Sequence, residues 1–435
     1  MCGPNSTGKT YVSYILFSIF SESIPENSKN FEKFSKNIRD EIKQSGKFTV
    51  TEDLVNFILN DICDNIRKNL LPSIFAIPDD ECKILFKNFR LKLTLGEGEY
   101  HKLLNSSKIS WQKNLLKNTS VNLVKLGNSP DINVVIVSNE IKDINIELET
   151  IFPSFTRLLY KFLTSLIFTS TDARMLTVER NSIYTFSKEI SLTRASFDDR
   201  SFNPTIPQRY PLALLKSLRT AEDLLFIKKK KSDFYDYAIQ LENNLLKGSI
   251  EVNEDGAIEF IPRSGNQTHL PVHMASSIVK TMASLVIYLK YIATKNNLLI
   301  IDEPEMNLHP DNQIILTRIF AELVNKGLNL VVSTHSDYII REFNNMIMAK
   351  EIMKNKNDLC LRESVPYPAN QMLSIKDTEV VYFNVTKSNM VKGKKLEVTE
   401  YGFDIESIDK TIENQTNITH SLADILRYGE CNELL

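Results

Sequence analysis

Eight residues near the start of the chain, Gly3-Pro4-Asn5-Ser6-Thr7-Gly8-Lys9-Thr10, follow the pattern glycine, four residues, glycine, lysine, serine or threonine. Such a loop fixes what must come next. The glycines let backbone N–H groups curl around an anion, and a helix has to follow at once so that its unpaired N-terminal amides and positive dipole end face the same charge. The mostly apolar run YVSYILFSIF, residues 11 to 20, is that helix. Lys9 is placed to reach the β and γ phosphates of a nucleotide, and the Thr10 hydroxyl to ligate magnesium. A loop of this kind is normally held by a buried strand on its N-terminal side, and only Met1 and Cys2 stand there. Two expectations stay open: the natural start lies upstream of Met1, or the sheet lacks its first strand and supports the loop poorly.

A second half of the site is expected far downstream. Leu298-Leu299-Ile300-Ile301-Asp302-Glu303-Pro304 is a fully apolar strand ending in two acids. A buried parallel strand delivers such residues at its C-terminal edge, where open α/β sheets bind ligands. Asp302 is the candidate for the magnesium shell, and Glu303 for orienting and deprotonating an attacking water. Leu330-Val331-Val332-Ser333-Thr334-His335-Ser336 repeats the pattern and ends in a histidine 33 residues beyond Asp302. On a neighbouring strand His335 emerges beside the same phosphate, able to hydrogen-bond it or the water. His309 follows the acids and is expected to shape their loop, whereas His101, His269, His273 and His420 show no metal-ligand spacing.

Composition narrows the setting. The 435 residues are 42% hydrophobic and 24% charged, with 52 basic against 54 acidic side chains. That balance gives no global pull toward nucleic acid or anionic membrane, so any such contact is local. The five cysteines, Cys2, Cys63, Cys82, Cys360 and Cys431, are scattered without a Cys-x-x-Cys pair, against a disulfide framework or cysteine zinc site and for a reducing, cytoplasmic location. No basic leader and no run of 18 apolar residues is present, so neither export nor a membrane span is expected.

Between the two half-sites the texture varies. Helices are expected over 31–45 and 51–70, and short strands at RLKLTL (90–95), VNLVKL (121–126) and INVVIV (132–137) form a small β-rich layer. A helix follows Pro153. Residues 212–247 have apolar spacing that suggests a helical hairpin or arm carrying the run Lys228 to Lys231, and an Asp-Gly turn predicts a β-hairpin at 249–261. Helix, strand, helix, strand then alternate over 275–293, 297–301, 310–326 and 328–333, the signature of a parallel sheet with crossover helices.

Taken together, Gly3 to Thr10, Leu298 to Glu303, Glu305-Met306-Asn307-Leu308-His309-Pro310 and Ser333-Thr334-His335-Ser336 resemble the ABC-like ATPases that carry the AAA label. That group includes SMC, RecF and OLD proteins and many ATPase subunits of bacterial anti-phage systems. The resemblance implies an α/β fold: a P-loop ABC-type ATPase head with a mixed sheet and a large α-helical and β insertion. It divides the chain into 1–30 (phosphate loop), 31–265 (insertion), 266–345 (second part of the head) and 346–435 (C-terminal appendage). ATP and Mg2+ are the implied cofactors, held between subunits of a homodimer or higher oligomer. A signature segment then matches His273-Met274-Ala275-Ser276-Ser277, where Ser276 and Ser277 grip the partner's phosphate, although the usual glycine after the serines is missing. Ile278, Met282, Leu285, Val286 and Leu289 share one face of the helix that follows. Val178-Glu179-Arg180-Asn181-Ser182-Ile183 also resembles a strand-end segment of these proteins, with an arginine whose role stays unassigned. Residues 346–435 contain no Asp-x-Asp, so a TOPRIM nuclease is not expected and a separate effector, nuclease or toxin, is implied. The alternative is an ATP-binding scaffold with little turnover, or a DNA-binding SMC- or RecF-like protein using Lys228 to Lys231.

Overall fold

The computed structural model describes all residues except 5–6, 22–28, 97, 99, 102–108, 117–118, 128, 139–154, 156–157, 169, 171, 186–209, 265–267, 355–363, 387–390 and 429–435. In chain order the elements are α1 (Lys9–Ser21), α2 (Lys29–Ser45), β1 (Lys47–Thr49), α3 (Glu52–Asn65), α4 (Leu71–Phe75), α5 (Asp79–Leu85), β2 (Ile109–Leu116), β3 (Thr119–Lys125), β4 (Asp131–Ser138) and β5 (Ala173–Leu176). There follow α6 (Leu212–Glu222), α7 (Leu224–Ile227), α8 (Tyr235–Leu241), β6 (Gly248–Val252), β7 (Ile258–Pro262), β8 (Leu270–Pro271), α9 (Ser277–Tyr291) and β9 (Leu298–Asp302). The last are α10 (Pro310–Asn325), β10 (Asn329–Ser333), α11 (Asp337–Lys354), β11 (Val380–Val385), β12 (Val391–Leu396) and α12 (Glu406–Tyr428).

Contacts divide the chain into two units, Ile15–Ala173 with Thr205–Leu212, and Met1–Tyr14 with Arg174–Pro204 and Ala213–Leu435. In the former, a sheet of order β1-β4-β3-β2 is antiparallel throughout. Val121 and Leu123 of β3 alternate into its core. Helix α3 starts where Thr51 accepts a bond from the Leu54 N–H at 3.1 Å, with Glu52 and Asp53 favouring the positive helix end. The predicted strand at 90–95 does not form. Exposure alternates along it as the sequence promises, but the backbone joins no ladder, and β1 and β2 complete the layer instead.

In the larger unit, β5, β9 and β10 form one sheet, with β9 and β10 parallel and Asp302 opposite Ser333. Every residue of β9 is buried, as its unbroken Leu-Leu-Ile-Ile run requires. Helix α9 departs from its one-sided pattern. From Thr281 to Lys290 it is buried all round, and Lys290 is accommodated by an ion pair to buried Glu242 at 2.7 Å. Residues 212–247 fold as short helices, α8 packing in the same apolar core as α9, rather than as a projecting arm. Lys228 ends its helix by donating to the Val252 and Asn253 carbonyls at 3.1 and 2.8 Å. The β6–β7 hairpin forms at 248–262 as its Asp-Gly turn indicates.

Met1 and Cys2 do the work of a strand in two residues. The Met1 amino group donates to the Val332 carbonyl at 2.7 Å, and the Met1 carbonyl accepts from Thr334 N–H at 2.9 Å. Cys2 bridges Thr334 on one side and Tyr382 on the other, both parallel, with bonds of 3.0 and 2.8 Å to β11. The loop is thus held on both flanks, and its support includes β11 of the C-terminal hairpin. Among the described residues, no helix is long and apolar enough to cross a membrane.

Candidate functional site

The phosphate loop lies against the ends of β9 and β10. Gly3 has φ +136°, and a Cβ there would collide with the Phe383 carbonyl oxygen, so glycine is required by both backbone shape and space. Pro4 is exposed, Asn5 and Ser6 fall outside the described residues, and buried Thr7 donates its hydroxyl to the Pro4 carbonyl at 2.8 Å. Gly8, with φ +77°, leads directly into α1. Lys9 is buried and donates to the Gly3 and Pro4 carbonyls, each at 2.8 Å. Burial pulls its pKa down, opposed by the charges of Glu303, Asp302 and Glu305. Removing the ammonium from water accounts for the direction.

Thr10 and Asp302, 292 residues apart, meet: the Thr10 hydroxyl donates to Asp302 Oδ2 at 2.7 Å. The other oxygen, Oδ1, accepts from the Ser333 hydroxyl. A hydroxyl and a carboxylate side by side are hard oxygen donors of the kind magnesium takes. Asp302 is fully buried at the end of β9.

Glu303 follows with φ +47°, a left-handed backbone that costs a non-glycine residue roughly 1–2 kcal/mol. Its N–H donates to the Ser333 carbonyl at 2.9 Å. Glu305, two residues on, belongs to the Glu305-to-Pro310 run, whose pattern alone gives it no separate role. Its Oε1 accepts from the Thr334 hydroxyl at 2.7 Å and the His335 N–H at 2.9 Å, tying the acid loop to the end of β10. Its Oε2 is buried without a hydrogen bond among the described residues. The His335 ring nitrogen Nδ1 stands 3.3 Å from Glu305 Oε1 and 3.8 Å from Glu303 Oε1, within reach of both acids. His309 caps α10, its ring nitrogen accepting from Asp311 N–H at 3.4 Å ahead of Pro310.

The structure therefore brings together Lys9, Thr10, Asp302, Glu303 and His335, with Glu305 added to them. It does not join Ser276 or Ser277 to this cluster by any hydrogen bond among the described residues. Both are exposed at the start of α9, where Ser276 takes the N-cap position without a capping bond from its side chain. Arg180 also belongs to the neighbourhood: it lies just beyond β5 and is 1% exposed. Burial lowers its pKa to about 10, against the pull of Glu305, Asp302, Glu303 and Glu179, so it stays charged at neutral pH.

A family model described as the AAA ATPase domain matches residues 1–340. The chain is similar to the energy-coupling factor transporter ATP-binding protein EcfA of Methanothermobacter thermautotrophicus, with 27% identity over 99 residues. That stretch is 23% of this chain and 30% of the relative, so the chain spans under a third of the length of the curated protein it matches. It is also similar, at 12% identity and a TM-score of 0.29, to an SMC head solved with the C-winged helix domain of ScpA, over 64% of this chain and 68% of that one.

Proposed function

The chain belongs to the AAA ATPase domain family, and from that premise we propose that it binds ATP with Mg2+ and hydrolyses it to ADP and phosphate. The observation that carries the reading is the hydrogen bond between Thr10 and Asp302, which joins the phosphate loop to the acid-bearing strand end. Thr10 and Asp302 would hold the metal, which when bound neutralises charge on the phosphate oxygens.

The chain's own residues then do the following. The loop amides and the N-terminus of α1 receive the phosphates. Lys9 exchanges its two neutral carbonyl partners for phosphate oxygens, a charge-assisted contact that offsets its desolvation. Glu303 accepts the proton of an in-line water as its oxygen bonds to the terminal phosphorus and the bond to the ADP oxygen breaks. His335, beside Glu303 and Glu305, orients that water or the phosphate.

On the same reading, two subunits sandwich nucleotide, each presenting Ser276 and Ser277 to the phosphate held by its partner. The exposure of both serines at a helix N-terminus supports that role. The wider setting we propose is the ATPase or sensor subunit of an anti-phage defence complex acting with a separate effector.

Replacing Glu303 with Gln tests the core of this proposal. ATP affinity should stay within a few-fold of the parent while turnover falls about 100-fold or more. Turnover at the parental rate would remove Glu303 from its role, and hydrolysis undiminished by a chelator would remove the metal.

A further inference from the structure

The acid loop is held from behind by a side chain that is almost wholly withdrawn from solvent. Arg180 is the largest fully buried side chain among the described residues. Its guanidinium donates to the Asp302 carbonyl at 2.6 Å and the Thr177 carbonyl at 3.1 Å through one nitrogen, and to the Glu303 carbonyl at 2.6 Å through the other. The Arg180 carbonyl in turn accepts from the Ser284 hydroxyl of α9 at 3.4 Å. A planar fork is the shape needed to hold two consecutive carbonyls, and placing it there requires burying a full charge.

What the fork holds is a strained point of the site. Glu303 departs from the strand into left-handed backbone, and its N–H is already fixed to Ser333. With Arg180 on its carbonyl, the residue is clamped on both sides of its Cα, which sets the direction of the Glu303 side chain. A left-handed residue relaxes once its clamps are released, and a displacement of about 1 Å at a reacting group costs on the order of 100-fold in rate.

We propose that Arg180 is a positioning residue for hydrolysis, fixing the left-handed turn at Glu303 so that the carboxylate faces the attacking water. The inference rests on the reading of Glu303 given above. It assigns a role to the strand-end arginine that sequence left without one, and it makes a buried side chain matter to turnover while leaving nucleotide binding alone.

The test compares Arg180→Lys and Arg180→Gln with the full-length parent, measuring kcat and KM for ATP, equilibrium binding of a fluorescent ATP analogue, and melting temperature. A lysine keeps the charge but cannot span two carbonyls. Both variants are expected to fold and to lose about 10- to 100-fold in kcat, with KM and Kd within about 3-fold of the parent. In a Glu303→Gln background, Arg180→Lys should cause little further loss, because both changes act through the same carboxylate.

Three results would overturn the proposal: parental kcat in Arg180→Lys, a loss that simply adds to that of Glu303→Gln, or failure of both variants to fold, which makes Arg180 purely architectural. Failure of the underlying reading looks different. It appears in the parent protein, as absence of hydrolysis or as full activity of Glu303→Gln alone.

Discussion

Asp302 shows how much one side chain can organise. Both of its oxygens are taken by hydroxyls, one from the phosphate loop and one from the adjacent strand, so a fully buried carboxylate is satisfied without a salt bridge among the described residues. Thr10→Ala should therefore cost twice. Stability should fall by about 1–2 kcal/mol in urea denaturation, since a bond to a charged acceptor is lost. The Mg2+ concentration for half-maximal hydrolysis should also rise about 10-fold, as one of the two candidate ligands disappears. The sequence made Lys9, Thr10, Asp302 and Glu303 legible because their chemistry is written in short motifs. Glu305 and Arg180 were harder to place. Glu305 meets its partners 29 and 30 residues away, and Arg180 grips backbone 122 and 123 residues away. Neither spacing leaves a local pattern.

Elements divide the same way. The alternation from α9 to β10 was readable because each helix and strand carries its own period. What period cannot give is pairing. The RLKLTL run has the strand alternation without a neighbour, whereas Met1 and Cys2 have neighbours on both sides and too few residues to announce them. Those two residues support the phosphate loop as a wedge between β10 and β11. Gly3→Ala probes it directly. The added methyl meets the Phe383 carbonyl at a φ that alanine resists, and a loss of at least about 2–3 kcal/mol in denaturant stability is expected. Faster amide exchange in β11 and β12 should accompany it, because the same carbonyl belongs to that hairpin.

For the molecule as a whole, the proposed sandwich makes a quantitative demand. Glu303→Gln, which should trap ATP, is expected to double in mass on size-exclusion chromatography with light scattering when Mg2+ and ATP are added, and to return to its starting mass on dilution into ADP. Adding Ser277→Arg, a bulky charge at an exposed helix start, should abolish the doubling. A mass that never changes with nucleotide would sink the shared-site reading but leave hydrolysis by single subunits intact.

The wedge at Met1 and Cys2 also bears on how the phosphate loop is assembled. Met1 finds its partner 331 residues downstream, and Cys2 bonds to a strand 379 residues downstream. The phosphate loop is thus seated by contacts that only the distant β10 and β11 supply, pairings whose closure spans most of the chain. Removing β11 would leave every residue of the nucleotide fingerprint in place and take away one wall of its cradle.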